Sequence, residues 1–113
     1  MPTVDEHFEG RPEGLRAVYD RLVAAAEKFG EVAQDAKKTS IHLNRRTAFA
    51  GVAVRKDCIV LTIKADGPIA SPRVFKSEQT SAKRFHHEVK LSTVKDVDAE
   101  LRGWLKAAYE LSL

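Results

Sequence analysis

Basic side chains are concentrated in one part of this sequence, between residues 37 and 90. That segment has twelve Lys and Arg residues against four Asp and Glu, a net charge of +8, whereas residues 1–36 carry −4 and residues 91–113 carry −1. A segregated charge of this kind favours an anionic partner more than an evenly spread +3 would.

The cations lie mainly at predicted turns and strand ends, where long side chains can reach phosphates spaced along a nucleic-acid strand. We predict an anion-binding set made up of Lys37, Lys38, Arg45, Arg46, Arg73, Lys76, Lys83, Arg84 and His86. Aromatic residues, which binding of a single strand would favour, are few near these cations. No recognition-helix motif, zinc finger or ribonucleoprotein signature is present, so sequence-specific readout is not predicted. The alternative is a solvated rim that keeps the domain soluble.

Two adjacent histidines, His86 and His87, stand in a segment where apolar and polar residues alternate. Neighbouring strand residues point to opposite faces, so these two side chains cannot easily bind one metal ion. His87 shares its face with Val89 and Leu91, which predicts a half-buried structural histidine bonded to a neighbour. His86 faces the other way, where it can meet a phosphate or solvent.

Enzymatic chemistry has weaker support. Glu88 and Lys90, with Asp57 or Asp66 upstream, resemble the acidic-x-lysine arrangement of metal-dependent nucleases, but such a pattern is common by chance in an alternating strand. Cys58 lies at the start of a predicted strand, where a small core residue is more typical than a nucleophile. Motifs for phosphate loops, zinc proteases and serine hydrolases are absent. We therefore predict no catalytic residue, no metal site and no cofactor.

The element that must position these side chains is a hairpin over residues 47–65. Two runs of small, β-branched and aromatic residues flank a short polar turn at residues 55–57, so the hairpin is predicted to form the centre of a sheet. Phe49, Ile59 and Ile63 are predicted core residues. Gly51 in the middle of a strand predicts a bulge or the close approach of a helix.

Helices are predicted before and after the hairpin in the sequence. Thr3 and Glu6 form a capping box for a short helix that stops at Gly10, and a longer amphipathic helix is predicted over residues 12–29. A last helix begins after a cap at Ser92 or Thr93. Its apolar stripe comprises Val97, Leu101, Trp104, Leu105, Ala108 and Leu111.

Three other segments complete the predicted fold. Residues 31–43 form two short strands or one irregular edge strand, and residues 85–91 form a half-buried strand. Residues 66–84 are predicted to be a long loop in which Val74 and Phe75 form at most a short edge strand. We therefore predict an α+β two-layer sandwich, with the N- and C-terminal helices on one face of a four- to five-stranded antiparallel sheet and the opposite face partly open.

The composition indicates one soluble domain over residues 1–113. It is 43% hydrophobic and 31% charged, as expected of a globular protein, and contains no apolar run long enough to span a bilayer. The single cysteine excludes an internal disulfide and indicates a reducing cytoplasm.

Several segments together resemble one bacterial family, the domain of unknown function 5655. They are VDEHFEG near the start, FAGVAVRKDCIVLTI in the hairpin, SPRVF in the loop, FHHEVKL in the last strand and VDAELRGWLKAAYELS at the end. The resemblance covers nearly the whole chain and implies no established activity. From the residues we expect a non-enzymatic module that binds an anionic partner, with nucleic acid as the first candidate. The alternatives are a protein–protein or homodimerisation module, which would use the open face of the sheet, and a small metal-dependent nuclease or hydrolase.

Overall fold

The computed structural model of the protein describes residues 2–112. Three α-helices, one short 3₁₀ helix and six strands follow one another along this part of the chain. In chain order they are α1 (Val4–Phe8), α2 (Glu13–Glu27), β1 (Ala33–Ala36), β2 (Ile41–Asn44), β3 (Ala48–Val54), β4 (Ile59–Ala65), β5 (Val74–Ser81), β6 (Arg84–Leu91), the 3₁₀ helix (Val94–Asp96) and α3 (Ala99–Leu111).

The strands form one antiparallel sheet in the order β1-β2-β3-β4-β6-β5. The predicted central hairpin is confirmed as β3 and β4, which are paired from Ala50 opposite Ile63 to Val54 opposite Ile59. Residues 66–73 lead from β4 past the position of β6, so that β5 becomes the outer edge strand. The sheet thus has an apolar central hairpin, β3 and β4, and a long polar edge strand, β5.

Helices and strands share one hydrophobic core on one side of the sheet. Strand alternation points Ile41, Leu61 and Leu91 toward the helices, and α2 and α3 contribute side chains such as Leu22 and Leu105. All five are completely buried. The predicted α+β architecture with helices packed on the sheet is confirmed.

Two details of the strands differ from the sequence prediction. The sheet has six strands where four or five were predicted, because β1 and β2 are separate and residues 74–81 form a full strand. The prediction for Gly51, a bulge or the close approach of a helix, is wrong in both forms. This residue pairs in register with His42 and Thr62, and the atom next to a Cβ added there would belong to Thr62 of β4. The irregularity in the pairing of β2 with β3 lies between Leu43 and Asn44.

Helix ends follow local capping chemistry. Thr3 accepts a hydrogen bond from the backbone N–H of Glu6, as the capping box predicted. The last helix was predicted to begin after a cap at Ser92 or Thr93, and this start is wrong. Thr93 and Asp96 instead form a capping box for the 3₁₀ helix that precedes α3. Asp98 is the cap of α3, where its carboxylate accepts the Leu101 N–H at 3.0 Å. None of the helices described is long and apolar enough to cross a membrane.

Candidate functional site

One face of the sheet has the helices and the core, and we call the other the open face. Strand alternation and the pairing register place on it Asp35, His42, Gly51, Ala53, Val60, Thr62, Lys64, Lys76, Glu78, Arg84, His86, Glu88 and Lys90. In one row across the strands, His42 is followed by Gly51 and then Thr62. In the next row toward the start of β6, Lys64 lies opposite His86.

A shallow depression of about 270 Å³ occupies the middle of the open face. Its lining includes Ser40, His42, Ala48, Gly51, Ala53, Thr62, Lys64 and His86. The depression exists because β3 presents only small side chains here, between larger ones on β2, β4 and β6. A Cβ atom added at Gly51 would lie 3.9 Å from the Cβ of Thr62, an ordinary contact, so the local packing does not require glycine. The absence of a side chain at Gly51 instead sets the depth of the floor.

Lys64 stands at one end of this depression. Its ammonium group donates to the Ser112 hydroxyl at 2.8 Å and to the Thr47 hydroxyl at 3.2 Å. Burial, followed by the nearby Arg84 guanidinium, lowers the pKa of Lys64 from its ordinary value. The bond to Ser112, a buried residue at the end of α3, holds the Lys64 ammonium group at the edge of the helix layer. Arg84 and His86 lie on the open face of β6, where His86 is paired with Lys64. Among residues 2–112, no carboxylate lies within ion-pairing distance of Lys64, Arg84 or His86.

A second cation lies farther along β6, beside an exposed aromatic ring. The Lys90 ammonium group is 5.1 Å from the centre of the Phe75 ring, which places Phe75 beside the open face. Phe75 is 49% exposed and is the large hydrophobic side chain that the described residues leave in solvent. It enters β5 at a bulge between Val74 and Lys76, which takes it out of the regular alternation.

Carboxylates on the open face are partly neutralised by neighbours. Asp35 forms an ion pair with Lys37 at 2.8 Å, and Glu88 forms one with Lys76 at 3.7 Å. Lys37 and Lys76, both in the predicted anion-binding set, therefore each have a carboxylate partner already. Glu78 lies across from His86 in the register of β5 and β6. The positive end of the face is thus the end with Lys64 and Arg84.

Arg73, another member of the predicted set, is built into the helix layer. Its guanidinium bonds the Asp98 carboxylate at 2.9 Å, the Glu100 carboxylate at 3.2 Å and the Asp96 carbonyl oxygen at 2.7 Å. The same group lies over the Trp104 ring. These contacts join the start of β5 to the start of α3. Arg73 therefore has a structural role in this fold.

The remaining predicted cations are divided between the two ends of the sheet. Arg45 lies over the Tyr109 ring at 4.4 Å and donates to the Tyr109 carbonyl oxygen, so it is docked on α3. Arg46 and Lys83 are exposed in turns at the end where β6 begins, near Lys64. Lys38 is exposed in the β1–β2 turn at the opposite end. The structure therefore places Arg46, Lys83, Arg84 and His86 at the same end of the sheet but does not gather the whole set there.

His87 is a structural residue, as its alternation with apolar neighbours predicted. It is 1% exposed, more fully buried than expected, and stacks on Phe85. Its Nε2 is 2.8 Å from the Gly67 carbonyl oxygen and its Nδ1 is 2.7 Å from the Ser77 hydroxyl. Since a carbonyl only accepts, Nε2 carries a hydrogen and donates it to Gly67, while Nδ1 shares a hydrogen bond with the Ser77 hydroxyl. The ring thus fastens both β5 and the 66–73 segment to β6.

The residues of the nuclease alternative do not converge. Asp57 lies in the β3–β4 turn and Asp66 follows the other end of β4, so the length of a seven-residue strand separates them. Within residues 2–112 no group of three or more His, Cys, Asp or Glu side chains is placed to hold a metal ion. Glu88 and Lys90 are neighbours on the open face, but neither aspartate joins them there.

The sequence matches one family, described as Domain of unknown function (DUF5655), over residues 4–112. The chain belongs to this family. The match confirms the resemblance seen in the sequence and covers every helix and strand of the DUF5655 fold described above. No curated protein and no solved structure matches the sequence.

Of the residues that line the depression in this DUF5655 chain, His86 was in the predicted anion-binding set, whereas His42, Thr62 and Lys64 were not assigned to a site and Gly51 was noted for another reason. Two signals were available. Gly51 and Ala53 alternate with the larger Val52 and Val54, which marks one face of β3 as bare. Lys64 is a lone charge at the end of an apolar strand. Only the tertiary register shows that these positions meet His42 and His86.

Proposed function

We propose that this domain is a non-enzymatic binding module that contacts an anionic partner, with nucleic acid as the first candidate, through the open face of its sheet. One observation carries the proposal: Arg84 and His86 lie on the open face of β6, at the end of the depression where His86 is paired with Lys64, and neither has a carboxylate partner among residues 2–112. A cationic cluster beside a concave surface is suited to phosphate groups.

The neighbouring turns support the same end of the sheet. Arg46 and Lys83 are exposed there and extend the positive surface beyond the depression. Phosphate contacts made by such side chains would be insensitive to base sequence and strongly dependent on salt. This expectation agrees with the lack of any sequence-reading motif.

Fluorescence anisotropy with a labelled nucleic acid at two or more salt concentrations tests the proposal. We expect binding at low salt, and we expect Arg84→Glu to weaken it by about tenfold or more and to make the salt dependence shallower by roughly one to two phosphate contacts. Lys106→Glu is the matched control, because Lys106 is an exposed cation on α3, away from the open face.

Two results would contradict the proposal. One is no binding of single or double strands at low salt. The other is an equal loss of affinity in the Arg84→Glu and Lys106→Glu variants, which would show that net charge alone governs binding.

A further inference from the structure

The floor of the depression is formed by the backbone and small side chains of β3. Gly51 lies at its centre, with Ala48 and Ala53 on the same strand, so a flat group can lie directly against β3. The volume, about 270 Å³, is just below the roughly 300–1,000 Å³ typical of small-ligand sites. This space suits one planar ring system and is too small for a bulky ligand.

Planar side chains border the depression on both sides. His42 on β2 and His86 on β6 are three strand spacings and two residues along the strand apart, which corresponds to about 16 Å between their backbone positions. Imidazole rings at such positions provide surfaces on which unpaired bases stack. His86 is exposed and His42 is half-buried, so both rings are accessible from the open face.

A cationic and aromatic path continues along β6. Arg84 and Lys90 are six residues apart on the same face, which corresponds to about 20 Å. Phe75 lies beside Lys90 at the far end, with half of its surface in solvent. Glu88 lies between these two ends and is paired with Lys76, so a cation stands with an exposed ring at each end of the path, Arg84 with His86 and Lys90 with Phe75. Cations beside exposed rings along an extended surface suit a single strand, in which phosphates and bases are both contacted.

Building on the proposed function, we infer that the partner is a single-stranded nucleic acid, with a base lying over Gly51 between His42 and His86 and its phosphate near Arg84. A duplex keeps the faces of its bases stacked inside, so the glycine floor and the exposed rings would have nothing to contact. Phosphate contacts alone would not distinguish the two forms.

The decisive variant is Gly51→Val, which fills the depression without changing charge. A Cβ at this position makes only an ordinary contact, and valine is well suited to a strand. Gly103→Val is the matched control, because Gly103 lies on α3 and a Cβ there meets no atom within 4 Å. Circular dichroism checks the fold of both. Should Gly51→Val fail to fold, His42→Ala and Phe75→Ala test the same surface.

Affinities are measured by anisotropy with a labelled oligothymidylate or oligouridylate of about twelve nucleotides and with a duplex of equal length. We expect the single strand to bind more tightly, and Gly51→Val, or either alternative variant, to weaken only this binding, by about tenfold. Equal affinity for single strand and duplex, with both weakened by Arg84→Glu, would overturn this inference while preserving the proposed function. Unchanged single-strand affinity in the folded Gly51→Val protein would also overturn it. Binding of neither form would remove the proposed function itself.

Discussion

Tyr19 of α2 places a phenol hydroxyl group within the helix layer, where it needs a hydrogen-bond partner. Its ring is buried against Phe8, and its hydroxyl donates to the Gln34 side-chain oxygen at 2.6 Å. Burial, the largest cause, raises the pKa of Tyr19 to about 12 from its ordinary value of 10. Only the neutral phenol fits this site well.

This shift predicts a specific loss of stability in alkali. Because the folded-state pKa lies above the unfolded value, the contribution is complete below pH 10 and is lost as the pH rises from 10 to about 12. It amounts to no more than about 2–3 kcal/mol. Denaturant unfolding of the wild type and of Tyr19→Phe should show a free-energy difference that shrinks across this range. A difference that stays constant from pH 8 to pH 12 would contradict the assignment.

At the scale of helices and strands, the sequence predicted those elements that bury one face in the core, because burial spaces their apolar residues regularly. The stripe of α2 and the apolar runs of β3 and β4 are examples, because burial on one face leaves a repeating pattern. β5 was predicted only as a short edge strand, since almost all of its side chains are exposed and alternation is therefore lost. Its place depends on hydrogen bonds to β6 and on the link between Ser77 and His87, which no local pattern reveals.

That link predicts the behaviour of β5. Ser77→Ala removes the hydroxyl that bonds Nδ1 of His87, a buried ring atom, so we expect a loss of about 1 kcal/mol in the free energy of unfolding. Hydrogen exchange should accelerate mainly in the β5 amides, because this edge strand has only one neighbour. Thr80→Ala is the control on the same strand, as its exposed hydroxyl bonds only the Arg84 carbonyl. Equal effects of the two substitutions would argue against the role given to His87.

At the scale of the whole molecule, the sequence predicted a basic middle and a partly open sheet but not which cations the open face would carry. That outcome depends on partners far apart in the chain: Arg73 meets Asp98, and Lys76 meets Glu88. Lys64, which had not been singled out, instead becomes a neighbour of Arg84 across the β4–β6 pair. Charge segregation along a sequence therefore indicates a type of partner more readily than the positions of its contacts.

The central claim is that the open face binds the partner. Its most direct test is a ¹⁵N–¹H NMR titration that follows the backbone amide signals as the single-stranded oligonucleotide is added. We expect the largest shifts at Gly51, Thr62, Lys64 and His86, which converge only on the open face, and little change in α2 and α3. Shifts concentrated in the helices, or spread evenly over the surface, would contradict this account of the protein.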